Sequence, residues 1–295
     1  MVNFISDFSR VTGVLLGLAI GDAMGAPLEG AEHPSAPVRR LYAGGRLPRH
    51  AGAFTDDTYQ ALALAESLAA CRAFSPADFM TRLIRDYLMH REWYGPTSGA
   101  VFSLVMEGVP LSLAARLVHA RHGGSRSNGS VMRGPPIGVF YGGPEVEAVS
   151  LACSALTHRD PVAGACSAFV NRMVSDMCRG IQASRAHGRA LQRCRDPEVA
   201  SMLGGWRAHP PVPGLDALEA THAAVSVFME TGTFEEAIPA AVSMGGDSDT
   251  VGAIAGALAG AAYGAQAIPD EWVLGIADRS RVLEAAHALW LASRV

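Results

Sequence analysis

A chain of 295 residues that is 49% hydrophobic and 18% charged holds enough apolar material for a large core, which excludes a disordered or collagen-like protein. Its net charge of -4, from 24 basic and 28 acidic side chains, lacks the excess of Lys and Arg on which nucleic-acid binding depends. We therefore expect a globular protein that does not bind nucleic acid, while a small or phosphorylated ligand remains compatible with this charge.

The first predicted element is a helix near the N-terminus. Apolar residues recur at spacings of three and four between Phe8 and Leu18, which is the pattern of a helix with one face in a core. The run Val11–Ile20 imitates a signal peptide, but Arg10 is the only basic residue before it and Asp22 ends it. Because a signal peptide needs a clearly positive leader, we assign this segment to the fold and expect no membrane contact.

Helical spacing continues along almost the whole chain, and alternating runs that would predict strands are nearly absent. The other predicted helices are Thr55–Cys71, Pro76–His90, Gly99–Gly108, Leu111–Arg121, Glu145–Leu156, Val162–Arg179, Leu215–Met229, Phe234–Val242, Thr250–Ala265 and Trp272–Ser293. The loops between them are rich in Gly and Pro and contain no polar tract of the kind that links domains. We therefore predict an all-α fold, a single compact domain of orthogonally packed helices over residues 1–295.

One predicted helix carries glycine at every fourth position. These residues, which form one ridge of the helix, are Gly252, Gly256, Gly260 and Gly264. Each glycine weakens a helix by about 1 kcal/mol relative to alanine, so four in register predict that another backbone packs closely on that ridge. The apolar stretch 251–268 approaches the length of a membrane span, but its Gly and Ala content favours a buried helix.

The five cysteines do not predict disulfides, because they are odd in number and contain no CxxC pair. They are Cys71, Cys153, Cys166, Cys178 and Cys194. We expect reduced and mostly buried thiols in a reducing compartment, the cytoplasm. A catalytic pair of Cys153 with His158 is an alternative, although a cysteine on a helix is more often a small core residue.

Two acidic clusters open predicted helices. They are Thr55–Asp56–Asp57–Thr58 and Gly245–Gly246–Asp247–Ser248–Asp249–Thr250. Each cluster alone is explained by helix capping and by the helix dipole, which favour Thr and carboxylates in the first turn. Four carboxylates gathered in one partly buried place, however, would repel one another unless cations neutralise them.

Such an all-oxygen set suits two hard divalent cations, Mg²⁺ or Mn²⁺, rather than zinc. The adjacent side chains of Asp56 and Asp57 point about 100° apart on a helix and can reach two different ions. Two ions about 3.5–4 Å apart can orient substrate oxygens and activate a water. We therefore predict a di-metal site at the buried N-termini of two helices.

Five motifs follow one another along nearly the whole chain. They are Gly17–Leu18–Ala19–Ile20–Gly21–Asp22–Ala23–Met24–Gly25 with Glu29, Thr55–Asp56–Asp57–Thr58, Asn128–Gly129–Ser130–Val131–Met132–Arg133, Thr157–His158, and Gly245–Gly246–Asp247–Ser248–Asp249–Thr250–Val251–Gly252–Ala253. In this order they resemble the ADP-ribosylglycohydrolase family, and the second and last are highly specific in combination.

The resemblance implies a role for each matching residue. The residues implied to hold two Mg²⁺ or Mn²⁺ ions are Thr55, Asp56, Asp57, Asp247, Asp249 and Thr250. The implied catalytic residues are Asp56 and Asp247 together with Glu29, which would act as general acid/base or orient the water. The implied substrate contacts are Gly95, Thr97, Asn128, Gly129, Ser130, Met132 and His158. Asp22 and Arg133 would support the site or the fold rather than touch the ligand.

The activity that the resemblance implies is hydrolysis at the anomeric carbon of the distal ribose, with release of ADP-ribose. The expected partner is an ADP-ribosylated protein or a small-molecule ADP-ribose conjugate, with ADP-ribosyl-arginine on protein as the first candidate. One departure matters, because prototype members carry an acid or Asn where this chain has Pro96 between Gly95 and Thr97. ADP-ribosyl-serine, O-acetyl-ADP-ribose or another ribosylated small molecule is therefore an alternative substrate.

A non-catalytic ADP-ribose-binding relative is the other alternative. The complete set of acids argues against it, since a site that has lost its activity has no physical need for unpaired carboxylates.

Overall fold

The computed structural model of the chain describes residues 7–294. Within this range it contains α-helices and short 3₁₀ helices but no strand. The α-helices are α1 (Phe8–Gly25), α2 (Asp56–Cys71), α3 (Pro76–Met89), α4 (Pro96–Met106), α5 (Leu111–Arg121), α6 (Pro135–Phe140), α7 (Glu145–Ser154), α8 (Pro161–Cys178), α9 (Ala183–Arg193), α10 (Pro197–Gly204), α11 (Ala217–Glu230), α12 (Phe234–Val242), α13 (Ser248–Tyr263), α14 (Asp270–Gly275) and α15 (Arg279–Ala292). The helical class predicted from the sequence is confirmed for these residues, and one cluster of buried apolar side chains extends from α1 to α15.

The centre of the fold is an antiparallel pair of helices, α1 and α13, that meet along glycine ridges. Gly13, Gly17 and Gly21 of α1 face the α13 glycines in reverse chain order. A Cβ atom built on Gly256 would lie 2.6 Å from the carbonyl carbon of Gly17, which is closer than real Cβ contacts come. The predicted close approach of a second backbone is therefore confirmed, although Gly264 lies just beyond the helix, at its C-cap.

The apolar sequence of α1 is explained by its position in this pair. Phe8–Leu28 is the one helical stretch in residues 7–294 whose length and hydropathy would allow it to cross a bilayer. In the fold, 94% of the 18-residue apolar window within that stretch is buried.

The end of α1 holds both acidic clusters in place. The carboxylate of Asp22 is fully buried and accepts the backbone N–H groups of Thr55 at 2.9 Å and Thr58 at 3.1 Å, and also the Thr58 hydroxyl at 2.6 Å. Asp22 thus serves as an additional cap for the N-terminus of α2. The hydroxyl of Ser248, at the start of α13, donates to the carbonyl of Gly25 at 3.0 Å. Both helix N-termini are therefore fastened to the last turn of α1.

The predicted helix Trp272–Ser293 is interrupted in the structure. Helix α14 ends at Gly275, and Asp278 adopts a left-handed backbone with φ 44 before α15 begins. At the break, the N–H of Ala277 donates to the carbonyl of Gly52 at 2.9 Å. The long loop before α2 thus docks where apolar spacing alone indicated a continuous helix. Helices α6, α9 and α10 also lie outside the predicted helical segments.

Candidate active site

All the predicted site residues except Ser130 line one cleft of about 210 Å³. The cleft is formed by the N-termini of α2 and α13, the loop after α1, the start of α4 and the loop between α5 and α6. Its predicted lining residues are Glu29, Thr55, Asp56, Asp57, Gly95, Thr97, Asn128, Gly129, Met132, His158, Asp247, Asp249 and Thr250. Motifs that are almost two hundred residues apart in sequence therefore converge in space.

A glycine turn brings the Glu29 loop to the second acidic cluster. Gly245 and Gly246 have φ of 72 and 60, a conformation that favours glycine. The carbonyl of Gly246 accepts the N–H of Gly30 at 2.7 Å, and its N–H donates to the carbonyl of Ala31 at 3.0 Å. This two-way pairing fixes Glu29 beside the start of α13.

The four aspartates of the clusters are buried, and burial raises the pKa of each. For Asp57 the next cause is the charge of Asp249, and for Asp249 it is the charge of Asp247. The pKa of Asp247 is raised to about 6, although hydrogen bonding from Asn128 lowers it in part. Asp247 and Asp249 each affect the pKa of the other, and such a pair of carboxylates is favourable only if a proton or a cation lies between them.

These donors fit hard cations, although no group of three or more His, Cys, Asp or Glu side chains in residues 7–294 is already arranged to hold a metal ion. The Oδ2 atom of Asp57 is buried and has no hydrogen-bond partner among the described residues. An unpartnered carboxylate oxygen beside other repelling carboxylates is stabilised by a cation. The chemistry of the donors thus agrees with Mg²⁺ or Mn²⁺, and the di-metal site stays a prediction.

A chain of buried hydrogen bonds connects the acidic end of the cleft to His158. Gln60 donates from Nε2 to Asp56 Oδ2 at 2.8 Å, and its Oε1 accepts from Arg133 Nη1 at 2.9 Å. Arg133 Nη2 donates to Thr157 Oγ1 at 2.7 Å, and Thr157 Oγ1 lies 2.7 Å from His158 Nδ1. Arg133 is fully buried, so this chain lies in the interior behind the cleft.

These hydrogen bonds also fix the tautomer of His158. Burial and the nearby charge of Arg133 lower the pKa of His158 to about 3, so the ring is neutral at ordinary pH. Because Thr157 Oγ1 accepts from Arg133, its own proton is free to go to His158 Nδ1. Nε2 therefore carries the ring proton and lies against Gly129, where an added Cβ would be 3.0 Å away. His158 thus offers the cleft a neutral N–H donor.

Ser130 does not line the cleft, contrary to the expectation from the motif. Its side chain is buried, and its hydroxyl accepts from Ser154 Oγ at 2.8 Å. Its carbonyl accepts from Ser167 Oγ at 3.2 Å. The motif alternates direction here: Asn128 points into the cleft and donates to Asp247, while Ser130 fastens the loop to α7 and α8.

The cysteines do not form a catalytic pair with His158. All five are free thiols. Cys153 is buried, lies outside the cleft lining, and has a pKa raised mainly by burial. A buried thiol that keeps its proton is a poor nucleophile.

The sequence interpretation missed Arg49, which lies in the cleft with its side chain only 5% exposed. Its Nη2 is 3.9 Å from Glu29 Oε2, and its Nη1 donates to the carbonyl of Ala26 at 3.2 Å. The guanidinium lies 5.7 Å from the centre of the Trp93 ring. Arg49 occupies an irregular loop without periodicity, so no spacing signal could have indicated it.

Two further hydroxyl groups, those of Ser125 and Ser127, were also missed, and they continue a row that begins at the predicted residue Thr97. Ser125 Oγ lies 3.2 Å from Thr97 Oγ1 and donates to Ser127 Oγ at 3.2 Å, and all three residues line the cleft. Trp93 lines it as well and stacks on His90, with ring centres 4.6 Å apart. The lining of the cleft thus combines the carboxylates with several hydroxyl groups and the indole ring of Trp93.

Comparison with known proteins shows what this architecture is similar to. Residues 5–295 match the model of the ADP-ribosylglycohydrolase family. The ADP-ribosyl-[dinitrogen reductase] glycohydrolase of Rhodospirillum rubrum is 30% identical over 275 residues, which cover 90% of this chain and 89% of that protein. The ADP-ribosylarginine hydrolase Tri1 of Pseudomonas putida is 28% identical, covering 95% and 78%. A solved structure of an ADP-ribosylglycohydrolase-related protein complex superposes with a TM-score of 0.85 at 32% identity, covering 97% of this chain and 98% of that one.

Proposed function

We propose that this chain, which belongs to the ADP-ribosylglycohydrolase family, hydrolyses the bond between the distal ribose of ADP-ribose and an arginine side chain of a protein. The broader activity follows from the family and its named members, which are glycosidic-bond hydrolases: the chain is an ADP-ribosylhydrolase. The arginine linkage is supported by the relative named as an ADP-ribosylarginine hydrolase.

The observation that carries the proposal is the convergence of four buried carboxylates in one cleft, with Asp57 Oδ2 unpartnered. The residues that would hold two Mg²⁺ or Mn²⁺ ions are Thr55, Asp56, Asp57, Asp247, Asp249 and Thr250. When bound, such ions supply positive charge that orients ribose hydroxyls and lowers the pKa of a water.

Glu29 is the proposed general acid/base. Its side chain is 39% exposed at the edge of the cleft, so it can exchange protons with solvent, unlike the buried aspartates. In the reaction, a water oxygen bonds to the anomeric carbon and the carbon–nitrogen bond to arginine breaks. Glu29 takes the proton from the water and returns it to the departing guanidine. Its negative charge also favours the positive charge that develops on the ribose.

The other cleft residues would hold the ligand. His158 donates its Nε2 proton to a hydroxyl or phosphate oxygen without adding charge. Asn128 is held by its bond to Asp247, which places the loop Asn128–Met132 against the ligand. Trp93 offers an indole face for stacking on a ring of the ligand.

A second linkage is favoured by Arg49 and Pro96. A buried guanidinium in the cleft repels the guanidinium of an arginine substrate, and Pro96 supplies no acid to offset it. A serine hydroxyl or an acetate group leaves without this repulsion. ADP-ribosyl-serine and O-acetyl-ADP-ribose are therefore the alternative substrates.

The test is release of free ADP-ribose from ADP-ribosyl-arginine, ADP-ribosyl-serine and O-acetyl-ADP-ribose, each with Mg²⁺, Mn²⁺ or EDTA. The Asp247→Asn variant should lose activity. Asp160→Asn is the matched control, because Asp160 only caps α8, a task that Asn also performs. We expect metal-dependent release from ADP-ribosyl-arginine.

If ADP-ribose is released only from an O-linked substrate, that linkage and not ADP-ribosyl-arginine is the substrate. Activity that survives EDTA would refute the metal requirement. Tight binding of ADP-ribose without turnover of any substrate would favour a non-catalytic role.

A further inference from the structure

A second cavity, of about 310 Å³, lies between helices α7, α8, α9 and α10 and shares no lining residue with the active-site cleft. Its walls are largely apolar and include Leu151, Ala165, Phe169 and Ala190. This volume falls in the usual range for small-molecule sites, which combine apolar walls with a few polar groups.

The polar group that distinguishes this cavity is the guanidinium of Arg172. The residue is only 4% exposed, and it makes no hydrogen bond or ion pair with any residue in the range 7–294. Its Nη2 atom is buried and unpartnered. Arg172 and Arg193 line the same cavity, and burial and the charge of Arg193 lower the pKa of Arg172, whereas the charges of Asp176 and Glu147 raise it in part. A buried charge without a partner is strongly unfavourable.

The acids near the cavity neutralise this charge only in part. Asp196 Oδ1 accepts the N–H groups of Glu198 at 3.0 Å and of Val199 at 3.1 Å, because it caps α10. Glu147 pairs with the exposed Arg195 at 3.7 Å. Asp176, on the same helix as Arg172, pairs with Arg189 at 2.9 Å. None of these acids comes within ion-pair distance of Arg172, so they offset its charge only in part and an anion in the cavity would complete the neutralisation.

We propose that this cavity binds a small organic anion, whose carboxylate or phosphate group is held by Arg172 and Arg193 and whose apolar body packs against Phe169. Arginine suits such a group because its planar donors match carboxylate and phosphate oxygens. Arg193 is exposed at the end of α9, where it can meet the anion as it enters.

The proposed site is separate from the hydrolase cleft. Ala165, Phe169 and Arg172 recur at spacings of four and three, so they share the face of α8 that lines the cavity. Ser167 lies on another face and donates to the carbonyl of Ser130, behind the cleft. Binding here is therefore independent of the proposed reaction and is tested without turnover.

The experiment uses isothermal titration calorimetry of the full chain with 1-naphthoate and 1-naphthyl phosphate, which distinguish carboxylate from phosphate, and with neutral 1-naphthamide. We expect at least one anion to bind about ten-fold or more tightly than the amide, and Arg172→Met and Arg193→Gln each to weaken that anion by about ten-fold or more. Arg185→Gln is the matched control, because Arg185 is an exposed arginine of α9 that does not line the cavity. Asp247→Asn should leave the affinity unchanged, which locates the site outside the cleft.

Arg172→Met should also raise the melting temperature of the ligand-free protein, because it removes a buried unpaired charge. If Arg172→Met does not fold, the affinity of Arg193→Gln for the anion tests the proposal by itself. The proposal is overturned if neither anion binds, if the amide binds as tightly as the acids, or if affinity is the same in wild type and Arg193→Gln.

Discussion

Adding a single methyl group between α1 and α13 tests the packing that supports the active site. In Gly256→Ala, the new Cβ would lie 2.6 Å from the carbonyl carbon of Gly17, whereas ordinary contacts begin near 3.4 Å. The helices would have to separate by about 0.8 Å or more. No flexible side chain can move aside there, because both surfaces are backbone.

Two opposing effects set the expected magnitude. Alanine stabilises a helix by about 1 kcal/mol relative to glycine. Overpacking costs about 1–3 kcal/mol and more where the neighbour is rigid, so we expect a net loss of about 2 kcal/mol in the free energy of unfolding. For a protein of this size, that loss lowers the melting temperature by roughly 4–8 °C.

The assay is urea unfolding and thermal melting followed by circular dichroism. Gly188→Ala in α9 is the matched control, because no atom lies within 4 Å of its added Cβ. It should be stabilised by up to about 1 kcal/mol through helix propensity alone. If Gly256→Ala were as stable as Gly188→Ala, the close packing of α1 on α13 would be refuted.

Three further predictions concern the cleft. Burial raises the pKa of Asp247 to about 6, so the folded chain binds this proton more tightly than the unfolded chain, and the metal-free protein should lose stability as pH rises from about 4 to 7. In EDTA the Asp249→Asn variant should have a higher melting temperature that depends less on pH, and it should no longer be stabilised by Mn²⁺. A melting temperature of the metal-free wild type that does not change with pH would contradict this. NMR should show the ring of His158 as the Nε2–H tautomer without titration between pH 5 and 8; an imidazolium in that range would refute the assignment. Arg49→Gln should raise kcat/KM for ADP-ribosyl-arginine relative to ADP-ribosyl-serine by about ten-fold, since it removes a like charge; an unchanged ratio of the two activities would show that Arg49 does not influence the choice of linkage.

The parts of the site that the sequence could predict depend on local spacing. Thr and Asp near the first turn indicate helix N-termini, as at Asp56 and Asp249, and glycine at every fourth residue indicates a close helix contact. Both patterns involve residues that are close in sequence, so they can be recognised without knowledge of the fold. The resemblance of the motifs to the family also predicts that the two acidic clusters share one site.

The parts that the sequence could not predict depend on tertiary contacts. Arg49 enters the cleft from a loop whose course is fixed only by docking. Ser130 points away from the cleft because Ser154 and Ser167 bind it from behind. The break before α15 arises where the chain meets Gly52. In each case the deciding partner is distant in sequence.

The buried chain of hydrogen bonds from Asp56 to His158 has a thermodynamic consequence. A ligand that orients the imidazole also biases Thr157, the guanidinium of Arg133 and finally the carboxylate offered to a cation. Free-energy coupling is reciprocal, so any factor by which a bound nucleotide tightens the hold on a divalent ion is the factor by which that ion tightens the hold on the nucleotide. The concentration of the cation would then set the apparent affinity for the nucleotide, including the product.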